Sequence, residues 1–145
     1  KTIKKSTNNI EPTETKLLQL EFWKKFIEHA KNNNTLLRLR NPRPQHWYDI
    51  SIGSSIVHMS LTVNTKNNEM GCEIYIPQEK TLFNELLKNK DKIEQEVGEE
   101  LEWSDLADKK ASRVKLSREA DIKNTSEWSN YFEWLNSNNL HFEAF

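Results

Sequence analysis

Glycine is scarce in this chain. Gly53, Gly71 and Gly98 are the only three among 145 residues, too few and too scattered for a loop whose backbone cradles phosphate. The single cysteine, Cys72, excludes an internal disulfide and any multi-thiolate metal site, and fits a reducing cytoplasm. Four histidines, His29, His46, His58 and His141, lack metal-ligand spacing, and no Ser-His-Asp arrangement has local support. Long apolar runs are missing too: a mean hydropathy of -0.86 rules out a membrane span, and no apolar segment opens the chain to direct secretion. Net charge is nearly absent, with 21 basic residues against 22 acids for a formal -1. No overall field draws the protein toward nucleic acid or acidic lipid, so any such affinity must come from local patches.

What is plentiful is aromatic bulk: five Trp, six Phe and three Tyr, enough for one hydrophobic core in a chain of this length. Residues 1–13 are polar, aperiodic and contain Pro12, which reads as a flexible linker or tail ahead of a single domain over 14–145. A helix is expected from Glu14 to Asn32, with Leu20, Trp23, Ile27 and Ala30 as its buried stripe and Phe22 and Phe26 beside it. Asn41-Pro42-Arg43-Pro44 must be loop, because two N–H donors are missing.

Three alternating runs follow. Tyr48, Ile50 and Ile52 precede Gly53-Ser54; Val57, Met59, Leu61 and Val63 precede a turn at Asn64 to Asn68; Met70, Cys72, Ile74 and Ile76 precede Pro77. Short polar connections between such runs mean hairpins, and alternation means one buried face and one open face. On this register Val57, Met59, Leu61, Val63, Ile74 and Val114 are buried together, with His58, Glu73, Arg113 and Lys115 opposite. A second helix is expected from Glu79 to Val97, with Leu82, Leu86, Ile93 and Val97 inward and Gly98 as its left-handed stop. Leu101–Trp103 and Arg113–Ile122 supply two more strands. A last helix runs from Ser126 to Ser137, with Asn124 as N-cap, Glu127 as its capping-box partner, and Trp128, Tyr131, Phe132 and Leu135 inward. The order α-βββ-α-ββ-α predicts an α+β fold: an antiparallel sheet of about five strands with helices mainly on one face.

The stretch from Ile93-Glu94 through Leu101-Glu102-Trp103 to Ser112-Arg113-Val114 is also a signature. Taken with Phe22-Trp23 and Glu127-Trp128, it resembles the bacterial domain-of-unknown-function family 4268. The resemblance spans about residues 20 to 140 and marks Phe22, Trp23, Ile93, Glu94, Glu102, Trp103, Arg113 and Trp128 as motif positions. It implies a restriction-modification context, in which the domain sits C-terminal to a restriction-nuclease-like domain of the same protein. It carries over no catalytic residues.

Restriction-type nucleases need an Asp and an acid-x-Lys on adjacent strands to hold Mg²⁺ and orient water. Glu14-Thr15-Lys16 begins a helix, Asp108-Lys109-Lys110 lies in a loop, and Asp121-Ile122-Lys123 ends a strand, with Asp49 as the available partner. A metal-dependent hydrolase is therefore the least favoured reading. The chain alone is expected to have no hydrolytic activity, no metal site and no cofactor.

Charge is unevenly distributed. Asp91, Glu94, Glu96, Glu99, Glu100, Glu102, Asp105 and Asp108 crowd one stretch, after which Lys109, Lys110, Arg113, Lys115 and Arg118 follow without an acid between them. Arg38, Arg40 and Arg43 precede His46 and Trp47. Basic groups beside an exposed aromatic suit phosphate contact with base stacking, so Arg38, Arg40, Arg43, Trp47, Lys109, Lys110, Arg113 and Lys115 are the candidate nucleic-acid contacts. Alternatively, Arg113 and its neighbours pair with Glu94 or Glu102 and stitch helix to sheet. Together with the context that the resemblance implies, these features predict a non-catalytic accessory domain of a bacterial nuclease-like or DNA-associated cytoplasmic protein, with DNA or another nucleic acid and the upstream domain as partners. The competing expectation is a protein-interaction or dimerisation module, a homo-oligomer included, built on Trp47, Trp134 and the terminal Phe142 and Phe145.

Overall fold

The computed structural model describes residues 12–33, 39–50 and 56–143, with side chains from 13 to 138 within those segments. Arg38, Ile52, the Gly53-Ser54 turn and the side chains of His141, Phe142 and Phe145 lie outside the described residues.

Helix α1 (Pro12–Asn32) starts ahead of the expected Glu14. Pro12 opens it, where its missing N–H costs nothing and its fixed φ suits a first helical turn. Asn33 closes it, its side-chain amide donating to the His29 carbonyl at 2.7 Å. The buried stripe is rotated from the expected one: Phe22, Trp23, Phe26 and Ala30 are fully buried, whereas Leu20 and Ile27 are half-exposed. Two adjacent aromatics with a third a turn later carry more area than the Leu/Ile line, and the helix turns to bury them.

Strands β1 (Trp47–Ile50), β2 (His58–Asn64), β3 (Glu69–Ile76), β4 (Glu102–Ser104) and β5 (Ser112–Glu119) form one antiparallel sheet in the order β1-β2-β3-β5-β4. The β2–β3 turn is held by the Asn64 carboxamide, whose oxygen accepts from the Lys66 and Asn67 N–H groups, both at 3.0 Å. Register puts Tyr48, Leu61, Cys72 and Leu116 in one inward row and Ile50, Met59, Ile74 and Val114 in the next. All are buried, as the alternation predicts; Val57 lies at the margin, half-buried against the core. Burial raises the Cys72 thiol pKa, which keeps it protonated and inert.

The expected single helix after β3 is instead two, α2 (Lys80–Lys88) and α3 (Lys90–Val97). Asn89 breaks it: its carboxamide donates back to the Glu85 carbonyl at 3.0 Å, the local competition with helix that Asn favours. The break lets Phe83 become the buried residue of α2, with Leu82 and Leu86 only half-buried beside it. Gly98 ends α3 at φ 88, the left-handed cap that the sequence predicts. Strand β5 stops at Glu119 rather than Ile122, although Ala120 and Ile122 remain buried beyond its end.

A 3-10 turn (Thr125–Glu127) leads into α4 (Trp128–Glu143). The expected capping box does not form. The Asn124 side chain makes no cap bond and accepts instead from Ser126 Oγ at 2.8 Å, while Glu127 accepts from the Asn130 amide. Helix α4 packs on β3 and against α1 and α3, and α2 packs on β5. The helices therefore share one sheet face in an α+β fold. Trp134, expected to point outward, is half-buried against the core.

Candidate nucleic-acid interface

The open sheet face presents three cross-strand rows. Trp47, Thr62, Gly71 and Ser117 form the first; Asp49, Ser60, Glu73, Lys115 and Glu102 the second; His58, Tyr75, Arg113 and Ser104 the third. A depression of about 900 Å³ lies over this face, lined by Trp47, His58, Tyr75, Arg113 and Lys115 among others. Trp47 is 38% exposed. His58 and Tyr75 lie nearly parallel, with ring centroids 6.5 Å apart and planes at 29°. The Arg113 guanidinium carbon sits 5.3 Å from the Tyr75 ring centroid, within cation–π range.

Arg113 pairs with neither of the acids expected from sequence. Its Nε lies 3.5 Å from Glu73 Oε1 and has no hydrogen-bond acceptor among the described residues, so the contact is Coulombic. Glu94 serves the other side of the sheet. Its Oε2 accepts from the Leu101 N–H at 2.8 Å and from Trp103 Nε1 at 3.0 Å. Asp105 is taken by Lys80, whose ammonium also donates to the Asp105, Leu106 and Ala111 carbonyls. Lys115 of the second basic cluster stands between Glu73 and Glu102, yet among the described residues no carboxylate lies within ion-pair distance of it.

Gly71 shapes the floor. A Cβ there would stand 2.9 Å from the Leu116 carbonyl oxygen, 3.0 Å from Lys115 Cε and 3.2 Å from Thr62 Oγ1. Lys115 thus lies across a position where only glycine leaves room. Gly71→Ala should lower stability by about 1–3 kcal/mol, because the backbone oxygen cannot yield as a side-chain tip would. Urea denaturation checks it; an unchanged midpoint would show that the sheet relaxes freely.

The first basic cluster is held from inside the core. The Tyr48 hydroxyl accepts from the Arg40 N–H and donates to the Arg40 carbonyl, both at 2.7 Å. Burial is the main cause raising the Tyr48 phenol above its ordinary 10.0, opposed by its contacts with Arg40. Trp23 Nε1 donates to the Gln45 carbonyl at 2.9 Å. Two buried rings with polar tips therefore fix the loop carrying Arg40 and Arg43, which with Trp47 line a second, smaller depression of about 430 Å³. Sequence reading did not foresee this use of Tyr48 and Gln45. An alternating Tyr directly behind a Pro-rich loop was the available signal.

The eight candidate contacts do not form one continuous positive surface. Arg113, Lys115 and Trp47 share the large depression, Arg40 and Arg43 adjoin it through Trp47, and Arg38 lies outside the described residues. Lys109 and Lys110, both exposed, sit on the β4–β5 connection at the far edge and line neither depression. Asp49 and Asp121 do not pair either. Strands β2 and β3 separate β1 from β5, roughly 14 Å across. Asp49 Oδ1 accepts from Ser60 Oγ at 2.5 Å, while Asp121 Oδ1 lies 3.2 Å from Lys123 Nζ. Among the described residues no group of three or more His, Cys, Asp or Glu side chains could hold a metal ion.

Fold and face together define a two-layer α+β domain whose antiparallel sheet, among the described residues, is open on one side. The chain belongs to the family described as Domain of unknown function (DUF4268), whose model matches residues 18–145. No curated protein and no solved structure matches it. Most of the motif residues prove architectural. Phe22 packs at 5.1 Å on Trp23 and 5.2 Å on Trp128, joining α1 to α4. Ile93 is buried, and Glu94 ties α3 to Trp103. Glu102 and Arg113 are the two that belong to the open face.

The Glu94 bonds give a pH signature. Acceptance from the Leu101 N–H first, and from the Trp103 indole second, lowers its pKa from the ordinary 4.5. A depressed folded-state pKa contributes stability that is present above 4.5 and lost as pH falls through the lower folded value. Glu94→Gln keeps an acceptor but not the charge, so it should lower the melting temperature at neutral pH and make no difference near pH ~2. Glu94→Ala should lower it further by leaving both donors unpaired. Thermal melts across pH test this, and a Gln deficit that persists undiminished at low pH would contradict it.

Proposed function

We propose that this domain is a non-catalytic accessory module of a bacterial nuclease-like or DNA-associated protein, and that it contacts nucleic acid through the open sheet face. The observation that carries the reading is the row His58, Tyr75 and Arg113, flanked by Lys115 and bounded by Trp47. Planar rings and cations share one surface that the described helices leave uncovered, and of the acidic stretch Glu102 stands on that face beside Lys115. Glu94 and Asp105 are engaged on the far side of the sheet or at its end. Arg40 and Arg43 extend the basic surface beyond Trp47.

The protein-interaction reading has less support. Trp47 and Trp134 lie on opposite sides of the sheet, one on the open face and one against the core. The remaining large exposed apolar residues, Leu17, Ile56 and Leu87, are scattered, which is ordinary for a protein surface.

Binding of fluorescent DNA at low and moderate salt is the test. Local patches on a neutral protein give weak affinity, micromolar on the order of 10⁻⁶ M, that falls steeply with salt as counterions are released. Arg40→Ala/Arg43→Ala should weaken it severalfold. Absence of binding at low ionic strength would remove the nucleic-acid reading and leave protein association as the better account.

A further inference from the structure

We infer that the open face takes single-stranded rather than duplex nucleic acid, an inference that rests on the nucleic-acid reading above. His58, Tyr75 and Arg113 are direct cross-strand partners on three adjacent strands, a span of about 10 Å. The His58 ring lies nearly parallel to Tyr75 with centroids 6.5 Å apart, and the Arg113 guanidinium lies over the Tyr75 ring 5.3 Å from its centroid, so that three flat groups are gathered at one spot. Planar groups recognise the faces of bases. In a duplex those faces are covered by the neighbouring base pairs, and only edges and phosphates are on offer. A single strand can unstack and set its bases against such flat groups.

The depression holds three full cations, Lys66, Arg113 and Lys115, and two carboxylates, Asp49 and Glu73. Asp49 is turned to Ser60 and Glu73 to Arg113, which softens but does not cancel their repulsion of phosphate. Double-stranded DNA carries one charge per ~1.7 Å of axis, and one strand half as many, one per ~3.4 Å. A face of mixed sign penalises the denser array more. The surface that best accepts a duplex is uniformly basic, and this one is not.

Lys115 supplies the phosphate contact in this arrangement. It is the cation that Gly71 lets lie flat across the sheet, and among the described residues no acid stands within ion-pair distance of it. Glu73, only 14% exposed, holds Arg113 close above Tyr75, so that its guanidinium serves stacking as well as charge.

The experiment uses the chain with a labelled single strand of about ten nucleotides, inside the 4–16-nucleotide range of single-strand sites. The same sequence as a blunt duplex is the comparison, at low salt, with AMP as competitor. The single strand should bind at least about fivefold more tightly than the duplex. Tyr75→Ala should weaken single-strand binding about tenfold or more while leaving duplex binding nearly unchanged, and Tyr75→Phe should retain it, since stacking needs the ring alone. Circular dichroism confirms the fold, and His58→Ala repeats the test at the edge of the row should Tyr75→Ala not fold. Duplex binding as tight as single-strand binding would overturn the inference and leave the parent reading standing. So would equal weakening of both substrates by Tyr75→Ala. Displacement by AMP as readily as by the oligonucleotide would also overturn it, in favour of a free nucleotide. Failure of both polymers to bind would sink the parent reading with it.

Discussion

Trp23→Ala should remove about 3–5 kcal/mol of folding stability, a large share of the roughly 5–15 kcal/mol that holds an average domain together. Trp23 is fully buried and stands where α1, β1 and the loop before β1 meet. It meets Phe22 edge-on at 5.1 Å and Phe26 at 6.4 Å on its own helix, and stacks on Tyr48 of β1 at 5.5 Å. Truncation leaves a cavity that the surrounding rings fill poorly, because each is fixed by its own contacts. It also strips the Gln45 carbonyl of its indole donor, which loosens the loop bearing Arg40 and Arg43. Trp23→Phe separates the two effects: most of the volume returns, the hydrogen bond does not. Chemical denaturation should show Phe costing clearly less than Ala, with hydrogen exchange rising at the Arg43, Gln45 and His46 amides in both. A loss below about 1.5 kcal/mol for Ala would mean that the aromatic junction does not organise the fold.

The second large effect concerns binding. Arg113→Gln/Lys115→Gln should weaken single-strand binding about tenfold, some 1.4 kcal/mol. The slope of log affinity against log salt should fall by roughly 1.4, about 0.7 for each phosphate that is no longer neutralised. Neutral replacements are the right choice. Lys115 faces Glu73 on one side and Glu102 on the other, so a charge reversal there would place three acids in a row and damage the sheet itself. Lys109→Gln/Lys110→Gln, on the connection away from both depressions, should change affinity less than threefold. Salt titrations of the two double variants measure the contrast. If the loop pair mattered more, the contact surface would lie at the edge of the sheet and not on its face.

The sheet was legible because alternation is a strong signal: once Met59, Leu61 and Val63 point in, His58, Glu73, Arg113 and Lys115 must share the other side. The Gly98 stop was legible for a similar reason, since a left-handed cap has few alternatives to glycine. Helix details were not. The stripe on α1 turned toward Phe22 and Phe26 because aromatic area outweighed the regular Leu20–Ile27 spacing. Asn89 divided one expected helix in two through its side-chain bond to the Glu85 carbonyl, and Phe83 packs on Trp103 at 6.3 Å. At the candidate site, residue types could be read but partners could not. Glu94 and Arg113 look like a pair in sequence, yet the first hangs on Leu101 and Trp103 while the second leans on Glu73. Faces follow from parity. Ion-pair partners follow from the three-dimensional register of strands far apart in the chain.

Mapping the contact surface by NMR tests the central claim most directly. Amide and indole signals are followed while a short single strand is titrated into the domain at low salt. The account predicts that shifts concentrate on His58, Tyr75, Arg113, Lys115 and the Trp47 indole, with smaller changes at Arg40 and Arg43 and almost none along α4. Shifts centred on Lys109 and Lys110, or on the outer surfaces of α1 and α4, with the open face silent, would contradict it.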